Sequence, residues 1–383
     1  MRGEDGDGAL QQAPVREAFV GREAPLAQLE AALVASRTEP RVVLLGGVSG
    51  MGKSALASRF ASGLDDEAVV LRGRCHERDS LPFKGLDGAL DQLVQWLLAL
   101  EPSVRADVLG GALGVVPRVF PVFQLLADGQ DVPPAGDPAT VRDRAFEEIR
   151  ALLVRLAAWR PVVLVLDDLQ WADRDAAQAL RGILREPAAP HVLVVGTYRT
   201  NEAHRSPVLP IFDAPDVVSA IHVEVAPLTV GEVEALASLL VPGMPWATAE
   251  LATLHAESGG NPFVVEQALR FGRREDGHLT GRVDDVLRAR VEDLSASDRA
   301  LLTVAAVAGH ALTRDALWRV ARHEADGDLA HGLVALQNAR LLTSDGAGHV
   351  ETYHDRIREA VVPTVPPDRR ARIHLVLADD LVE

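Results

Sequence analysis

Gly47-Val48-Ser49-Gly50-Met51-Gly52-Lys53-Ser54 is the stretch that decides how the rest of this chain is interpreted. It has the spacing G-x-x-x-x-G-K-[ST], in which the backbone N–H groups of a glycine-rich loop surround phosphate oxygens. Lys53 is one of only two lysines among the 39 lysine and arginine residues. A compact ammonium group on a flexible stem follows the β- and γ-phosphates better than a planar guanidinium does. The stretch therefore predicts a phosphate-binding loop.

The residues on both sides of the loop support this interpretation. Residues 41–45 form a short apolar run typical of a strand, and residues 54–60 have the pattern of a helix. A strand, a glycine loop and a helix N-terminus direct N–H groups and a helix dipole at phosphate. A glycine-rich turn without a ligand is the alternative, which the complete motif disfavours. The predicted nucleotide-binding residues of the loop are Gly47, Ser49, Gly50, Met51, Gly52, Lys53, Ser54 and Ala55, with Lys53 also predicted to be catalytic.

Composition and charge limit the class of protein. The chain has 383 residues, of which 48% are hydrophobic and 25% are charged, as expected for two or three folded domains. The formal net charge of −16 argues against direct binding of nucleic acid through a broad basic face. Met1–Pro14 lacks the apolar core of a signal peptide, and no apolar run approaches 18 residues, so we expect no membrane span.

Cysteine usage indicates the compartment. Cys75 is the only cysteine, so a disulfide within the chain is impossible, which suits a reducing cytosol and predicts a cytoplasmic protein. The neighbours of Cys75 do not include a general base together with a residue that would orient it, which favours a small buried residue over a nucleophile. Because Cys75-His76 lacks a second pair at ligand spacing, we expect no histidine or cysteine metal site.

Strand and helix signals alternate along the first part of the chain. Pro161–Leu166 is a continuous apolar run, which is typical of a parallel strand covered on both faces. Further strands are predicted at residues 41–45, 68–71, 192–196 and 222–225, with helices over residues 25–36, 84–100 and 140–159 and a surface loop over 127–138. This alternation predicts an α/β fold, a three-layer P-loop NTPase domain with a parallel sheet.

The pattern changes after Pro227. Helices are predicted over residues 230–240, 246–257, 261–273, 282–292, 296–308, 313–322 and 328–339. Residues 341–343 and 349–352 flank the turn Ser344–Gly348 and predict a hairpin, and so a winged helix. The predicted domains are a disordered lead (1–17), a nucleotide-binding domain (18–226), an all-helical lid (227–281) and a winged-helix domain (282–375). Residues 376–383 have the pattern of the start of a continuing helix, so we expect the chain to be a fragment of a longer protein.

Two adjacent acids end the apolar strand. Asp167 and Asp168 follow Leu164-Val165-Leu166, which places them at the carboxyl edge of the sheet, beside the phosphate loop. In a phosphate-loop NTPase the hydroxyl of Ser54 would bind Mg²⁺ and Asp167 would hold it through water, which makes these two residues the predicted metal site. Asp168 would act as general base on an attacking water. The alternative is an Asp-Asp turn that caps a helix over residues 170–180.

Two further stretches are candidates for the site. Arg199, in Thr197-Tyr198-Arg199, ends the next strand, where an arginine could sense a γ-phosphate; a plain surface arginine is the alternative. Gly260-Asn261-Pro262 gives a rigid turn at a helix start, and Pro at the first helical position explains it without any ligand.

Taken in order, these motifs resemble the STAND class of signal-transduction ATPases, within the AAA+/P-loop superfamily. The resemblance covers about residues 18–375. Gly47–Ser54 and Leu166–Asp173 are similar to the Walker A and B segments of a bacterial branch, which includes LuxR-type regulators of the maltose-activator kind and multidomain serine/threonine kinases. Gly260-Asn261-Pro262 is similar to the G-x-P motif of the lid, and Tyr353-His354-Asp355 is similar to a winged-helix motif of apoptotic and immune relatives.

The resemblance implies roles that the residues alone do not. It implies that Val20, Gly21 and Arg22 lie in the segment that contacts adenine. It implies that Pro262 and His354 contact the nucleotide, with His354 on the ADP β-phosphate; taken alone, a histidine after a hairpin is more often a structural residue or a helix cap than a ligand. No kinase domain, C-terminal helix-turn-helix or tetratricopeptide array is recognised, so an effector or sensor domain is expected outside this chain.

Two functions from different classes follow from these motifs. The favoured one is a regulatory switch that binds ATP or ADP with Mg²⁺, hydrolyses ATP slowly and thereby controls domain opening and homo-oligomerisation in signalling or transcription control. The alternative is a steady-turnover AAA+ motor or remodelling ATPase. A DNA-binding winged helix is disfavoured, because Ser344–Gly348 carries no Lys or Arg.

Overall fold

The computed structural model describes residues 18–379, apart from 65–66, 77–81, 111–112, 128–136, 272, 276–277, 281–282, 326 and 345–347. Residues 18–226, here called the sheet part, contain five strands in the order β2-β3-β4-β1-β5, and every neighbouring pair is parallel. This confirms the prediction of an α/β fold with a parallel sheet. The strands are β1 (Arg41–Gly47), β2 (Val69–Arg74), β3 (Val162–Asp167), β4 (Leu193–Arg199) and β5 (Ala220–Glu224).

Helices cover both faces of this sheet. Alternate residues of the central strands enter two separate apolar cores: Leu164 and Val194 point into one, and Val163 and Val195 into the other. Because both faces are buried, the strands read as continuous apolar runs. The helices of this part are α1 (Glu23–Ala35), α2 (Lys53–Ser62), α3 (Leu86–Ala99), α4 (Pro102–Leu109), α5 (Val116–Val119), α6 (Pro138–Trp159) and α7 (Arg174–Ile183).

The strand order determines which residues can meet at the carboxyl edge. β4 lies between β1, which leads into the phosphate loop, and β3, which ends in the acids. Thr197–Arg199, at the end of β4, therefore lies at the same edge as the loop and the acids. The sequence places Asp167 beside the loop, and in the structure Asp167 contacts Ser54, the last residue of that loop.

The linking part (residues 227–280) contains α8 (Val230–Leu240), α9 (Thr248–Ser258) and α10 (Pro262–Phe271), followed by β6 (Arg273–Glu275) and β7 (His278–Thr280). The three helices share a small apolar core of their own. The prediction that this region is all-helical is wrong at its end, where β6 and β7 pair in antiparallel fashion. The Asp276-Gly277 dipeptide between them is the strongest short hairpin signal, but the strands are too short to show alternation.

The C-terminal part (residues 283–379) has its own apolar core. Its strands form an antiparallel sheet in the order β8-β10-β9, which includes the predicted hairpin. The assignment of this part as a winged helix stays a prediction. Its elements are α11 (Val283–Glu292), α12 (Ala296–Ala308), β8 (Leu312–Thr313), α13 (Arg314–Arg322), α14 (Leu329–Asn338), β9 (Leu342–Ser344), β10 (His349–Thr352), α15 (Asp355–Val361) and α16 (Pro367–Asp379).

Several expectations lie outside the described residues: the disordered lead at 1–17, most of the loop at 127–138, the tip of the hairpin and the last four residues of the chain. The domain boundaries stay predictions. Within the described ranges, no helix combines the length and the apolar character that crossing a bilayer would require.

Candidate active site

The phosphate loop has the backbone geometry that its sequence predicts. Gly50 and Gly52 adopt φ values of +85° and +84°, in the left-handed region that side chains rarely adopt. Lys53 is the first residue of α2, so the loop ends at a helix N-terminus with its N–H groups available to an anion. The buried Lys53 ammonium group donates to the Val48 carbonyl oxygen at 3.0 Å, which keeps its Nζ inside the loop.

The predicted metal-binding pair comes together. The Ser54 hydroxyl donates to Oδ1 of Asp167 at 2.8 Å. The Thr197 hydroxyl donates to the same oxygen from β4. Burial, reinforced by the neighbouring Asp168, raises the pKa of the Asp167 carboxyl group. A partly buried carboxylate beside a second acid and a hydroxyl is an oxygen donor set of the kind that Mg²⁺ prefers, so these residues fit the predicted ion.

Asp168 is held in an unusual conformation. Its φ of +59° places a non-glycine residue in the left-handed region, and its N–H donates to the Thr197 hydroxyl at 3.0 Å. The Gln170 side-chain amide donates to Oδ1 of Asp168 at 2.9 Å. The alternative that the two acids cap the next helix is wrong. Asp173 caps α7 by accepting from the Ala176 N–H, because a 3₁₀ turn over Leu169–Trp171 comes first.

Arg199 ends β4 and is buried, with 6% of its side chain exposed. This excludes the alternative of a plain surface arginine. Its Nη1 lies 3.2 Å from Glu202 and 3.3 Å from Glu359, a residue of α15 in the C-terminal part. Its backbone N–H donates to the Gln170 side-chain oxygen at 3.0 Å. The arginine thus lies at the boundary between the sheet part and the C-terminal part.

The turn before α10 contacts the phosphate loop directly. The Asn261 amide donates to the Ser49 carbonyl oxygen at 2.8 Å, and the Phe263 N–H donates to the Gly50 carbonyl oxygen at 3.3 Å. Asn261 also accepts from the Val264 N–H as a helix cap. The turn therefore performs the structural role that Pro262 suggests and also couples the linking part to the loop.

His354 has a structural role in this arrangement. Its Nδ1 accepts from the Arg356 N–H at 3.1 Å, which caps α15. Its ring stacks on Phe263, with 4.1 Å between the centroids and an interplanar angle of 18°. The helix-cap alternative is thus present in the structure, and the stack also ties the C-terminal part to α10.

One cavity of about 360 Å³ brings the three parts together. Most of the predicted site residues line it: Ser49, Gly50, Gly52, Lys53, Ser54, Ala55, Asp167, Asp168, Arg199, Pro262 and His354. Its volume is in the range of small-molecule sites. The residues that the predictions did not single out are Ala18, Ser58, Arg74, Leu236, Phe263, Glu266, Arg340, Thr343, Glu351 and Tyr353.

Five predicted nucleotide contacts are not among the lining residues: Val20, Gly21, Arg22, Gly47 and Met51. Each has a structural reason. The buried Arg22 guanidinium donates to the carbonyl oxygens of Met51 and Ala226, and burial lowers its pKa. The Met51 side chain enters the core beside the sheet, and Val20 packs on the core of the linking part. The two glycines lie against other residues: Gly21 approaches Glu232, and Gly47 faces Val225. An adenine contact by Val20–Arg22 stays a prediction.

Sequence reasoning missed several residues of the site. Arg74, at the end of β2, lies 3.3 Å from Asp168 through Nε and 2.6 Å from Glu351 through Nη1. Thr197 and Gln170 lie inside stretches that were singled out, yet only the structure shows their hydrogen bonds to the acids. No sequence signal marks Glu351 or Glu359, because their partners are far away along the chain.

Cys75 behaves as predicted for a structural cysteine. It is buried, its Sγ donates to the Lys84 carbonyl oxygen at 3.3 Å, and burial raises the pKa of its thiol. Among the residues that the structure describes, no group of three or more histidine, cysteine or acidic side chains forms a metal site. A Mg²⁺ site that relies on one carboxylate, one hydroxyl and phosphate oxygens needs no such group.

Comparison with known proteins agrees with this geometry. Residues 18–195 match the family of AAA ATPase domains. The chain is similar to the solved structure of the Signal Transduction ATPase with Numerous Domains (STAND) protein with a tetratricopeptide repeat sensor from Pyrococcus horikoshii. The TM-score is 0.59 at 15% identity, over 97% of this chain and 47% of that one. It is also similar to Cdc6p from Pyrobaculum aerophilum, with a TM-score of 0.42 at 12% identity, over 95% of this chain and 97% of that one.

Among curated proteins, hybrid signal transduction histidine kinase G from Dictyostelium discoideum is 26% identical in an alignment of 149 residues that covers 36% of this chain and 4% of the kinase. The chain therefore spans less than half of the Pyrococcus horikoshii protein and a small fraction of the kinase. The domain match and the fold agree with the resemblance predicted from the sequence: residues 18–195 form an AAA ATPase domain, and the chain has a fold similar to that of a STAND protein.

Proposed function

We propose that the chain is a nucleotide-dependent regulatory switch that binds ATP or ADP with Mg²⁺ and hydrolyses ATP slowly. One observation carries this proposal. The phosphate loop, the start of α10 and the C-terminal residues Arg340, Tyr353 and His354 line the same cavity. A ligand in that cavity touches all three parts of the chain, so its identity can bias how they are arranged.

Phosphate binding rests on the loop. Lys53 and the N–H groups at the start of α2 provide a positive site for the β- and γ-phosphates. Ser54 and Asp167 would hold Mg²⁺, which supplies charge neutralisation between the phosphates when bound. Burial and the neighbouring Asp168 make the ionised form of Asp167 unfavourable, and the positive charge of a bound Mg²⁺ would offset part of that cost.

Hydrolysis would depend on Asp168 and Arg199. Asp168 would accept a proton from an attacking water, and Arg199 would donate to the γ-phosphate. In the arrangement described here, the Arg199 guanidinium is engaged by Glu202 and by Glu359 of α15. Because Glu359 belongs to the C-terminal part, turnover would require that this part move, which supports slow and regulated hydrolysis.

The C-terminal part would act as a latch on the ADP state. His354 lines the same cavity as the phosphate loop and stacks on Phe263, which supports a contact between its imidazole and the β-phosphate of a bound ADP. Exchange of ADP for ATP would weaken this arrangement and open the domains. Opening would then expose a surface for homo-oligomerisation and for an effector or sensor domain outside this chain, in signalling or transcription control.

The deciding experiment identifies the nucleotide retained through purification and then measures turnover. We expect ADP at close to one equivalent, released by denaturation and identified by chromatography, and ATP hydrolysis well below one turnover per second. A nucleotide-free protein with sustained turnover that a substrate stimulates would instead support the AAA+ motor or remodelling ATPase.

A further inference from the structure

Three successive carbonyl groups of the phosphate loop, those of residues 49–51, accept hydrogen bonds from residues outside the loop. The first accepts from the Asn261 side-chain amide at 2.8 Å, and the second accepts from the Phe263 N–H at 3.3 Å. The third accepts from the Arg22 guanidinium at 3.1 Å. The backbone of the loop is therefore held by donors from two different parts of the chain.

The direction of these carbonyl groups determines where the N–H groups of the loop point. In a planar trans peptide, the C=O of one residue and the N–H of the next point in opposite directions. Asn261 holds the Ser49 oxygen against the start of α10, so the Gly50 N–H points away from α10. In the same way, Arg22 turns the Gly52 N–H away from itself. Both glycines line the cavity, so the outer hydrogen bonds favour an arrangement of N–H groups that an anion in the cavity could use.

The Asn261 side chain is held in one orientation. Its Oδ1 accepts from the Val264 N–H at 3.3 Å as the cap of α10, which leaves its NH₂ group facing the loop. The residue is 5% exposed. Gly50 has a φ of +85°, and a Cβ added to it would overlap with the Asn261 amide. The absence of a side chain at Gly50 thus lets the amide approach the loop.

We propose that Asn261 is a positioning residue for phosphate binding, whose amide keeps the Gly50 N–H directed at the phosphates while α10 lies against the loop. Arg22 also donates to Ala226, within the sheet part, so its contact stays when the linking part moves and that of Asn261 is lost. This inference rests on the proposed binding of nucleotide phosphates by the loop. It lets the linking part change the affinity for nucleotide through a residue that is not among those lining the cavity.

The test measures binding of ADP, and its displacement by pyrophosphate, with Mg²⁺ on the full chain. Asn261→Ser and Asn261→Asp both keep a good helix cap, and neither has an NH₂ group. We expect Asn261→Ser to weaken both ligands by about threefold to tenfold, as expected for loss of one neutral hydrogen bond. Asn261→Asp should weaken them further, because its carboxylate faces a carbonyl oxygen. Pyrophosphate has no base or sugar, so a loss confined to ADP would contradict an action through the loop.

The matched control is Thr229→Ala. Thr229 caps α8 of the same linking part in a capping box with Glu232, and it is not among the residues that line the cavity. Its substitution removes a helix cap from the linking part without removing a hydrogen bond from the loop. We expect pyrophosphate to bind Thr229→Ala as it binds the parent. Parent-like affinity in both Asn261 variants, or an equal loss in Thr229→Ala, would overturn the proposal.

Thermodynamic linkage provides a second measurement. If the linking part raises the affinity of the loop for phosphate, phosphate in the loop must stabilise the docked linking part to the same extent. Pyrophosphate should therefore slow amide hydrogen exchange over α10 in the parent, and much less in Asn261→Ser. Equal slowing in the two proteins would show that Asn261 does not couple α10 to the loop.

Lys53→Ala separates this inference from the proposed function. Full affinity for pyrophosphate in Lys53→Ala would refute phosphate binding by the loop itself, and the role of Asn261 with it. Lost affinity in Lys53→Ala, together with parent-like affinity in both Asn261 variants, would refute only the role of Asn261.

Discussion

The two sides of the cavity are built in different ways. On the side of the phosphate loop, Ser54 of α2 and Thr197 of β4 donate to Asp167, which ends β3 of a sheet whose two faces are buried. On the C-terminal side, Glu351 and Glu359 reach across to arginines of the sheet part with 22% and 45% of their side chains exposed. The first side is built on the buried sheet, and the second contains ion pairs between charged side chains of which the glutamates are partly exposed.

The difference in exposure has an energetic consequence. Partly exposed ion pairs contribute up to about 1 kcal/mol each, and salt screens them. The two ion pairs that join the C-terminal part to the sheet part are therefore individually weak. A ligand that gains or loses one phosphate can shift the equilibrium between docked and undocked positions of the C-terminal part, whereas it could not disrupt the buried sheet. The predictions below test whether the two sides are separable in this way.

The largest expected effect is on the loop side. Lys53→Ala should lower the affinity for ATP by at least about 100-fold, because charge-assisted interactions with the β- and γ-phosphates are lost at about 1.5–3 kcal/mol each. The affinity for ADP should fall by at least about tenfold, because one such interaction is lost. Isothermal titration calorimetry measures the affinity, and an unchanged unfolding temperature shows that the fold is kept. The matched control is Lys84→Ala, the other lysine of the chain, which does not line the cavity and should bind nucleotide as the parent does.

Substitutions of the two adjacent acids, Asp167 and Asp168, should have different effects on hydrolysis and on Mg²⁺ dependence. Asp168→Asn should keep Mg·ATP binding and slow single-turnover hydrolysis by about 10²–10⁴-fold, because the general base is removed. Asp167→Asn should instead weaken the dependence of ATP binding on Mg²⁺. Titration with Mg²⁺ at fixed ATP measures the second effect. Equal behaviour of the two variants would mean that the division of roles between metal binding and proton transfer is wrong.

Substitution of His354 on the C-terminal side of the cavity should change the rate of ADP release. His354→Ala should speed release by more than about tenfold if the imidazole contacts a charged phosphate oxygen, since such a bond contributes about 1.5–3 kcal/mol. Stopped-flow displacement measures the rate, and small-angle scattering measures opening. The matched variant is His354→Asn, which keeps the capping of α15 but lacks the ring. Parent-like release in His354→Asn would reduce the histidine to its capping role.

The smallest expected effect comes from an exposed contact. Glu359→Gln removes the charge that faces Arg199 from α15. Release of ADP should rise by no more than about threefold, and the difference from the parent should fade at 1 M salt, because Glu359 is 45% exposed and salt screens its contact with Arg199. A larger, salt-independent effect would show that the C-terminal side is not the weakly held surface described here.

Secondary structure was predictable from local pattern to a large extent. The five strands of the parallel sheet lie where strands were predicted, and their ends differ from the predictions by at most three residues. The short β6–β7 hairpin was missed, because three-residue strands carry no periodicity. The helix that the capping alternative placed over residues 170–180 begins later, since Asp168 enters the left-handed region and Asp173 provides the cap.

The sequence by itself determined the phosphate loop and the position of the two acids at a strand end. These depend on backbone conformations that neighbouring residues dictate, such as positive φ at Gly50 and Gly52. Only the tertiary structure decided that Ser54 and Thr197 both donate to Asp167 and that glutamates of the C-terminal part contact Arg74 and Arg199. A charged side chain can pair with any opposite charge within reach, and which charge that is depends on how the folded parts pack together.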